Sequence, residues 1–304
     1  MKKNRLGNSE LFVSEIGFGC MSLTGNYTVD ERIIHEAIDG GVNYFDTADL
    51  YDFGMNEETI GKAIKEKRQD IVLATKGGNE WGKGIDGWRW NPSKDYLKNA
   101  VKDSLRRLNT DYLDLYQLHG GTIEDPVEET IEAFEDLVKE GAIRYYGISS
   151  IRPNVIKAYA EKSNIVSIMM QYSLLDRRPE EWFGLLNESN ISVIARGPVA
   201  KGLLTDQFEQ RLKEDGYLSY SNEELKKTLG DLNKEAKSHE ISLQQMALRY
   251  VAGQPVVAAA IPGASKISQV KDNISAAEVP PLSEGLVEKL QRITKEDFYE
   301  NHRD

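Results

Sequence analysis

Four side chains that could share one proton relay lie within the first 119 residues: Asp46 and Tyr51 in FDTADLY, Lys76 in VLATKGG and His119 in LYQLHGG. A tyrosine titrates near about 10, but an adjacent ammonium favours the phenolate and brings it closer to neutrality. Lys76 beside Tyr51 would therefore make the phenol a usable proton donor. Asp46 would keep Lys76 charged and in place, and His119 would orient a substrate carbonyl by donating a hydrogen bond. Taken singly, each residue has an ordinary explanation: a helix cap, loop packing, a solvated amine, a satisfied core imidazole. Together they are harder to dismiss, because successive strands deliver ionisable groups at their carboxyl ends, where uncompensated charge is costly.

The elements that must position them are short apolar runs that read as buried parallel strands, near 16–19, 42–46, 71–75, 112–118, 143–148, 166–170, 191–195 and 256–260. Helical stretches alternate with them, which is the pattern of repeated βα units. Asn56 ahead of EETIGKAIKE, Asn91-Pro92-Ser93 ahead of KDYLKNAVKDSLRRL and Asp125-Pro126 ahead of VEETIEAFEDLVKE read as helix starts, and Gly141 reads as a stop. If the strands are barrel neighbours, the four side chains emerge at one rim. A chain of 304 residues suits a single (β/α)8 TIM barrel, with one domain over 1–304. RLGNSELFV reads as an N-terminal hairpin closing the barrel bottom, and the last twenty or so residues as one helix, SEGLVEKLQRI, packed outside. The polar 201–222 stretch has the makeup of a mobile loop over a site, expected to close on a bound cofactor. Trp81, Trp88 and Trp90 in NEWGKGIDGWRW form either a substrate-facing wall, with Trp81 nearest the substrate, or a loop packed onto the barrel.

Bulk properties exclude several classes. A net charge of -11 argues against a nucleic-acid-binding face. Cys20 is the only cysteine, so no internal disulfide and no cysteine-rich metal site can form, and the four histidines at 35, 119, 239 and 302 are too scattered for a metal centre. No uncharged stretch approaches roughly twenty residues, so no membrane span is expected, and a cytoplasmic protein is the default. GFGCMS lacks the third glycine of a dinucleotide fingerprint.

The stretches IGFGCMS, FDTADLYDFGMNEETIGKAI, VLATKGG, SLRRLNTDYLDLYQLH, LVKEGAIRYYGISS, MMQYSLL, ARGPVAKGLLT and IPGASKISQVKDN, in that order, resemble the aldo-keto reductase family, in its bacterial general-reductase branch with a short C-terminal tail. The resemblance implies a (β/α)8 barrel that binds NADPH or NADP in extended form, with NADH possible, and reduces aldehydes or ketones. It implies that Tyr51 is the general acid, that Lys76 lowers its pKa, that Asp46 anchors Lys76 and that His119 positions the substrate. Ser149 and Gln171 match the positions that hold the nicotinamide carboxamide, Gly19, Cys20 and Met21 line the ring's surroundings, and Gly197, Pro198, Val199, Ala200, Lys201, Gly202 and Leu203 match the pyrophosphate loop. Pro262, Gly263, Ser265, Lys266, Gln269 and Asn273 match the adenosine end, where Lys266 and Ser265 would receive a 2′-phosphate. Two positions depart from the family pattern. Ser150 stands where Asn is common, and Arg196 stands where many members stack an aromatic ring on the nicotinamide.

Other functions fit parts of the pattern. Lys76 could be a Schiff-base nucleophile in an aldolase-like barrel, or the chain could be a nicotinamide-binding redox sensor or regulatory subunit with vestigial catalysis. Neither the physiological carbonyl, the direction of reaction nor the oligomeric state is readable, a monomer being compatible with the sequence.

Overall fold

The computed structural model describes residues 1–303. A hairpin of β1 (Lys3–Arg5) and β2 (Phe12–Ser14) precedes eight parallel strands: β3 (Phe18–Gly19), β4 (Tyr44–Asp46), β5 (Val72–Gly77), then, after a small hairpin of β6 (Asn79–Glu80) and β7 (Arg89–Trp90), β8 (Leu113–Leu118), β9 (Ile143–Ser149), β10 (Ser167–Gln171), β11 (Ser192–Arg196) and β12 (Val257–Ile261). The eight pair in sequence order. Parallel bridges from Ile16 to Ala260 and from Gly19 to Gly263 join the first to the last and close the barrel. All eight lie within two residues of the runs read from sequence.

The helices are α1 (Tyr27–Asp39), α2 (Met55–Ala63), α3 (Lys94–Leu108), α4 (Val127–Lys139), α5 (Pro153–Lys162), α6 (Phe183–Glu188), α7 (Asn222–Ser238), α8 (Leu243–Ala252), α9 (Ile267–Ser275) and α10 (Glu284–Ile293). Their starts follow from local chemistry. Ser221 and Ser242 form capping boxes with Glu224 and Gln245, satisfying amide groups that the first turn leaves free. The buried positions of α3, Leu97, Ala100, Val101, Ser104 and Leu108, recur at helical spacing and face the strands.

Strand alternation sorts the side chains into two cores. Phe45, Leu73 and Tyr116 point outward and pack with the helices. Tyr44, Val72, Ala74 and Leu115 point inward and meet Leu6, Leu11 and Val13 of the N-terminal hairpin. The hairpin thus plugs the bottom of the barrel, and burial of each of those three side chains contributes about 1.5–3 kcal/mol. Continuing the alternation upward places Asp46, Lys76 and Gln117 inside at the carboxyl ends, so the barrel changes from apolar to polar along its axis.

Three local expectations are corrected. Asn56 does not start α2; it lies within the helix, buried, where it accepts from Thr47 Oγ1 at 2.7 Å and donates to the Cys20 carbonyl at 2.9 Å. Gly54, at φ 88°, occupies the cap instead, where an added Cβ would meet Arg107 Cδ at 2.6 Å. The C-terminal helix forms over SEGLVEKLQRI as expected but stops at Ile293, and the described chain beyond it is irregular rather than helical. There it buries Tyr299 and lets the His302 carbonyl accept from the Asn154 N–H at 2.8 Å. The tryptophan loop folds as the β6–β7 hairpin, with Trp90 Nε1 donating to Asp125 at 2.9 Å and Trp88 exposed.

Candidate active site

Tyr51 sits on a turn that only an unusual backbone permits. Asp52 and Phe53 both have φ 48°, followed by Gly54 in the same left-handed region, so a β-strand is converted into a helix within a few residues. Such conformations cost of order 1–3 kcal/mol each and persist where surrounding contacts fix them. The contacts are here: the N–H groups of Thr47 and Asp49 donate to the carbonyls of Ala74 and Lys76, and that of Tyr51 to Ala48.

Lys76 is wholly buried, and its Nζ donates to Asp46 Oδ1 and to the Thr47 carbonyl, each at 2.6 Å, and to the Tyr51 hydroxyl at 3.4 Å. Gln117 Nε2 donates to the other Asp46 oxygen at 3.1 Å. Burial presses on both members of the pair. It raises the Asp46 carboxyl despite Lys76 and Gln117, and it would lower the ammonium of Lys76, which Asp46 and Tyr51 more than restore to a value above the ordinary one. A 2.6 Å contact with further hydrogen bonds on each side is an ionised pair. An ammonium so held is a poor free amine, which argues against the Schiff-base alternative.

His119 follows the end of β8, its N–H donating to the Gly77 carbonyl at 2.8 Å. The ring stands edge-on to Tyr51, with centroids 5.9 Å apart. Burial, then the charges of Lys76 and Arg196, lower its pKa to about 3, so the imidazole is neutral through the physiological range. A neutral imidazole keeps one N–H to donate.

These groups lie at one end of a continuous cleft of about 1220 Å³ that runs to Lys266 at the start of α9. Of the catalytic, cofactor and nearest-substrate positions read from sequence, four do not border it, and neither do Trp88 and Trp90. Ser150 is buried with its hydroxyl accepting from the Arg152 N–H, Ala200 and Leu203 are buried behind the loop after β11, and Trp81 packs edge-on to Phe53 beneath the Arg107 guanidinium. Arg196 Nη1 donates to Gln171 Oε1 at 2.9 Å, and Gln171 Nε2 donates to Asp176 at 2.9 Å and to the Tyr217 hydroxyl at 3.4 Å. Tyr217 belongs to the 201–222 segment, which contributes Thr205, Asp206, Gln207 and Arg211 to the cleft wall and is moored by buried Phe208 and Tyr220.

Gln117, Thr47 and Tyr217 were missed by reading the sequence. Gln117 was within reach, since it lies two residues before His119 on the same strand and so faces inward with Lys76. The backbone carbonyl of Thr47 and the long-range approach of Tyr217 carry no local signal. Among the described residues no cluster of His, Cys, Asp and Glu could hold a metal ion, and no helix is long and apolar enough to cross a membrane.

Comparison with known proteins identifies the family and the fold. The chain is 59% identical over the full length of both chains to an uncharacterized oxidoreductase, YqkF, of Bacillus subtilis. Its fold superposes on that of the aldo-keto reductase AKR11C1 from Bacillus halodurans with a TM-score of 0.94 for the holo form, at 57% identity, and 0.87 for the apo form, at 54%, each covering 100% of both chains. It also matches an aldo/keto reductase from Klebsiella pneumoniae solved with NADP and acetate, at 27% identity, 98% coverage of both chains and a TM-score of 0.79. The aldo/keto reductase family model spans residues 15–295, so a barrel whose buried ion pair, phenol and imidazole share one rim belongs to the aldo/keto reductase family of NAD(P)H-dependent oxidoreductases.

Proposed function

We propose that the protein reduces small aldehydes or ketones to alcohols with NADPH, Tyr51 serving as the general acid. The observation that carries this reading is the Asp46–Lys76–Tyr51 chain of contacts, at 2.6 and 3.4 Å, with neutral His119 across from the phenol. The cleft suits a long dinucleotide. It is continuous from Tyr51 to α9, its middle is walled by the loop containing Gly197 and Gly202, and the free N–H groups at the start of α9 face its far end. Gln171 and Ser149 would hold the carboxamide, the 197–203 loop the pyrophosphate, and Ser265, Lys266, Gln269 and Asn273 the adenosine end. The NADP held by the Klebsiella pneumoniae relative supports the same choice. When bound, the reduced nicotinamide supplies a hydride.

The chain's own residues do the rest. His119 donates its N–H to the carbonyl oxygen and fixes it beside Tyr51, whose hydroxyl gives that oxygen its proton as negative charge builds there. The Lys76 ammonium stabilises the phenolate left behind. Asp46 keeps the ammonium from swinging away, and Gln117 keeps Asp46 from rotating. Burial excludes water, which strengthens each of these interactions.

A panel of aldehydes and ketones, followed by loss of reduced-nicotinamide absorbance with both cofactors, tests the class and the substrate together. Tyr51→Phe should lower kcat by about 10²–10⁴ while NADPH affinity stays nearly intact, because only the proton donor is removed. Retained turnover in that variant would rule the mechanism out.

A further inference from the structure

Behind the Asp46–Lys76 pair, on the outer side of β5, lies a second buried polar pocket. Asp49, 2% exposed, reaches into it from the turn that carries Tyr51. Glu57 of α2, fully buried, accepts from Thr75 Oγ1 and from Arg107 Nε, both at 2.6 Å. Tyr116 of β8 enters with a hydroxyl that has no hydrogen-bond partner among the described residues, and Asp49 Oδ1 has none either. Gly77 is the floor: a Cβ there would stand 1.9 Å from the Tyr116 oxygen and 3.4 Å from Asp49 Oδ2, so only glycine lets these groups meet.

The charges facing Asp49 do not balance. From α2 comes the Glu57 carboxylate, from α3 the Arg107 guanidinium and the neutral Tyr96 phenol, and from β8 the neutral Tyr116 phenol. From β5 comes Lys76, already taken by Asp46. Two carboxylates therefore face one cation, which Glu57 holds; Asp49 has none within ion-pair distance among the described residues, and a site of that kind retains a proton.

We propose that Asp49 is a positioning residue that works with its carboxyl neutral: it fills the pocket behind Tyr51 and Lys76 without adding charge, and on ionising it weakens proton donation by Tyr51. The link is short. Asp49 precedes Tyr51 by two residues, and its N–H donates to the Lys76 carbonyl at 3.1 Å. A negative charge there disfavours the phenolate that Tyr51 must become and competes with Tyr51 for the field of Lys76. Burial first, then the charge of Glu57, pushes the Asp49 carboxyl up to about 8, against the smaller pull of Arg107, the Leu50 N–H and Lys76. Because the folded value lies above the unfolded one, the unfolded chain sheds this proton first. Stability attributable to Asp49 therefore declines from near pH 4 and levels off above about 8.

The proposal rests on Tyr51 as the proton donor, and the test keeps the two apart. The pH dependence of kcat is compared for the wild type and Asp49→Asn, whose amide mimics the neutral carboxyl in shape and cannot ionise. Wild-type kcat should fall as the pH passes about 8. The variant, scaled to its own rate near neutrality, should turn over about three- to tenfold faster than the wild type one unit above that point, with KM little changed. A coincident profile, or one whose alkaline fall moves to lower pH, overturns the proposal. Infrared titration of the wild type needs no variant: the carbonyl band of a protonated buried carboxyl should vanish across the same range, and a band that never appears or never titrates also overturns it. Retained turnover in Tyr51→Phe would instead sink the proton-donor reading while leaving the infrared result standing.

Discussion

At the Tyr51 end of the cleft the ion pair that serves the phenol is buried and fastened more than once, whereas at the Lys266 end the one cation projects from an open rim. Lys76 has three acceptors, Asp46 has donors on both oxygens, and both side chains are buried. Lys266 is an exposed residue just before α9, with no ion pair among the described residues. Its neighbour Ser265 is occupied by the Gln269 amide oxygen, which accepts the Ser265 N–H at 2.8 Å. The contrast separates two tasks. Chemistry at a developing charge needs donors fixed in advance in a dry site, because reorganisation during the reaction is costly. Holding the far end of a long ligand needs only that groups can arrive, and their exposure lowers what each contributes.

The sharpest way to break this comparison is to remove a partner from the dry end. Asp46→Asn strips the counter-charge from the Lys76 ammonium in a wholly buried site and leaves it only neutral acceptors, among them the Thr47 carbonyl and the Tyr51 hydroxyl. Losing one partner of a buried pair costs about 3–5 kcal/mol, because the remaining charge is stranded. The variant should unfold at markedly lower denaturant concentration than the wild type, and kcat should drop with it. A midpoint within experimental error of the wild type would mean that the pair is not the anchor its geometry suggests.

How much of this was legible in the sequence follows the same division. The strands carrying Asp46 and Lys76 are short, mostly apolar runs that close on one ionisable residue, and such a run has few alternative folds, so strand and rim position came together. The N-terminal hairpin was legible because RLGNSELFV places turn residues between Leu6 and the apolar Leu11 and Val13, all three of which the barrel needs as a plug. Asn56 was misread because a capping residue and a buried helical asparagine look identical until Thr47 and Cys20 are brought to it from nine and 36 residues away. The Asp49 pocket was invisible for the same reason: its members come from β5, α2, α3 and β8, and none is unusual alone. Trp81 lay near a strand end, but Phe53 and Arg107 claim its faces.

The segment between the two ends supplies a second test. Residues 201–222 wall the cleft, and Tyr217 from this segment touches Gln171, the residue expected to hold the carboxamide. If the segment closes over a bound dinucleotide, its amides exchange only when the ligand leaves. Hydrogen exchange at 205–217 should then slow by up to about 100-fold at a cofactor concentration of 100 Kd. Protection confined to β-strands and helices, with no change in this segment, would show that it stands open in the bound state.

The smallest effect is expected at the open rim. Lys266→Ala removes a cation that makes no ion pair among the described residues, so its loss should leave folding untouched and weaken NADPH alone. A charge-assisted contact to a 2′-phosphate contributes about 1–3 kcal/mol. The exposure of Lys266 and the Asp272 carboxylate on the same rim place this one at the lower end of that range. Near a helix start a lysine works against the dipole, and among the described residues no carboxylate pairs with it, so no ion pair there explains its place. A bound phosphate would satisfy both the lysine and the free N–H groups of the first turn, whereas NADH, lacking it, should bind the variant and the wild type alike. Titrations of both cofactors at two salt concentrations decide the matter, because a contact made through this cation must weaken as salt rises. Equal losses for NADPH and NADH would show that Lys266 shapes the rim without reading the phosphate, and the contrast between a fastened end and an open one would then concern binding in general rather than cofactor choice.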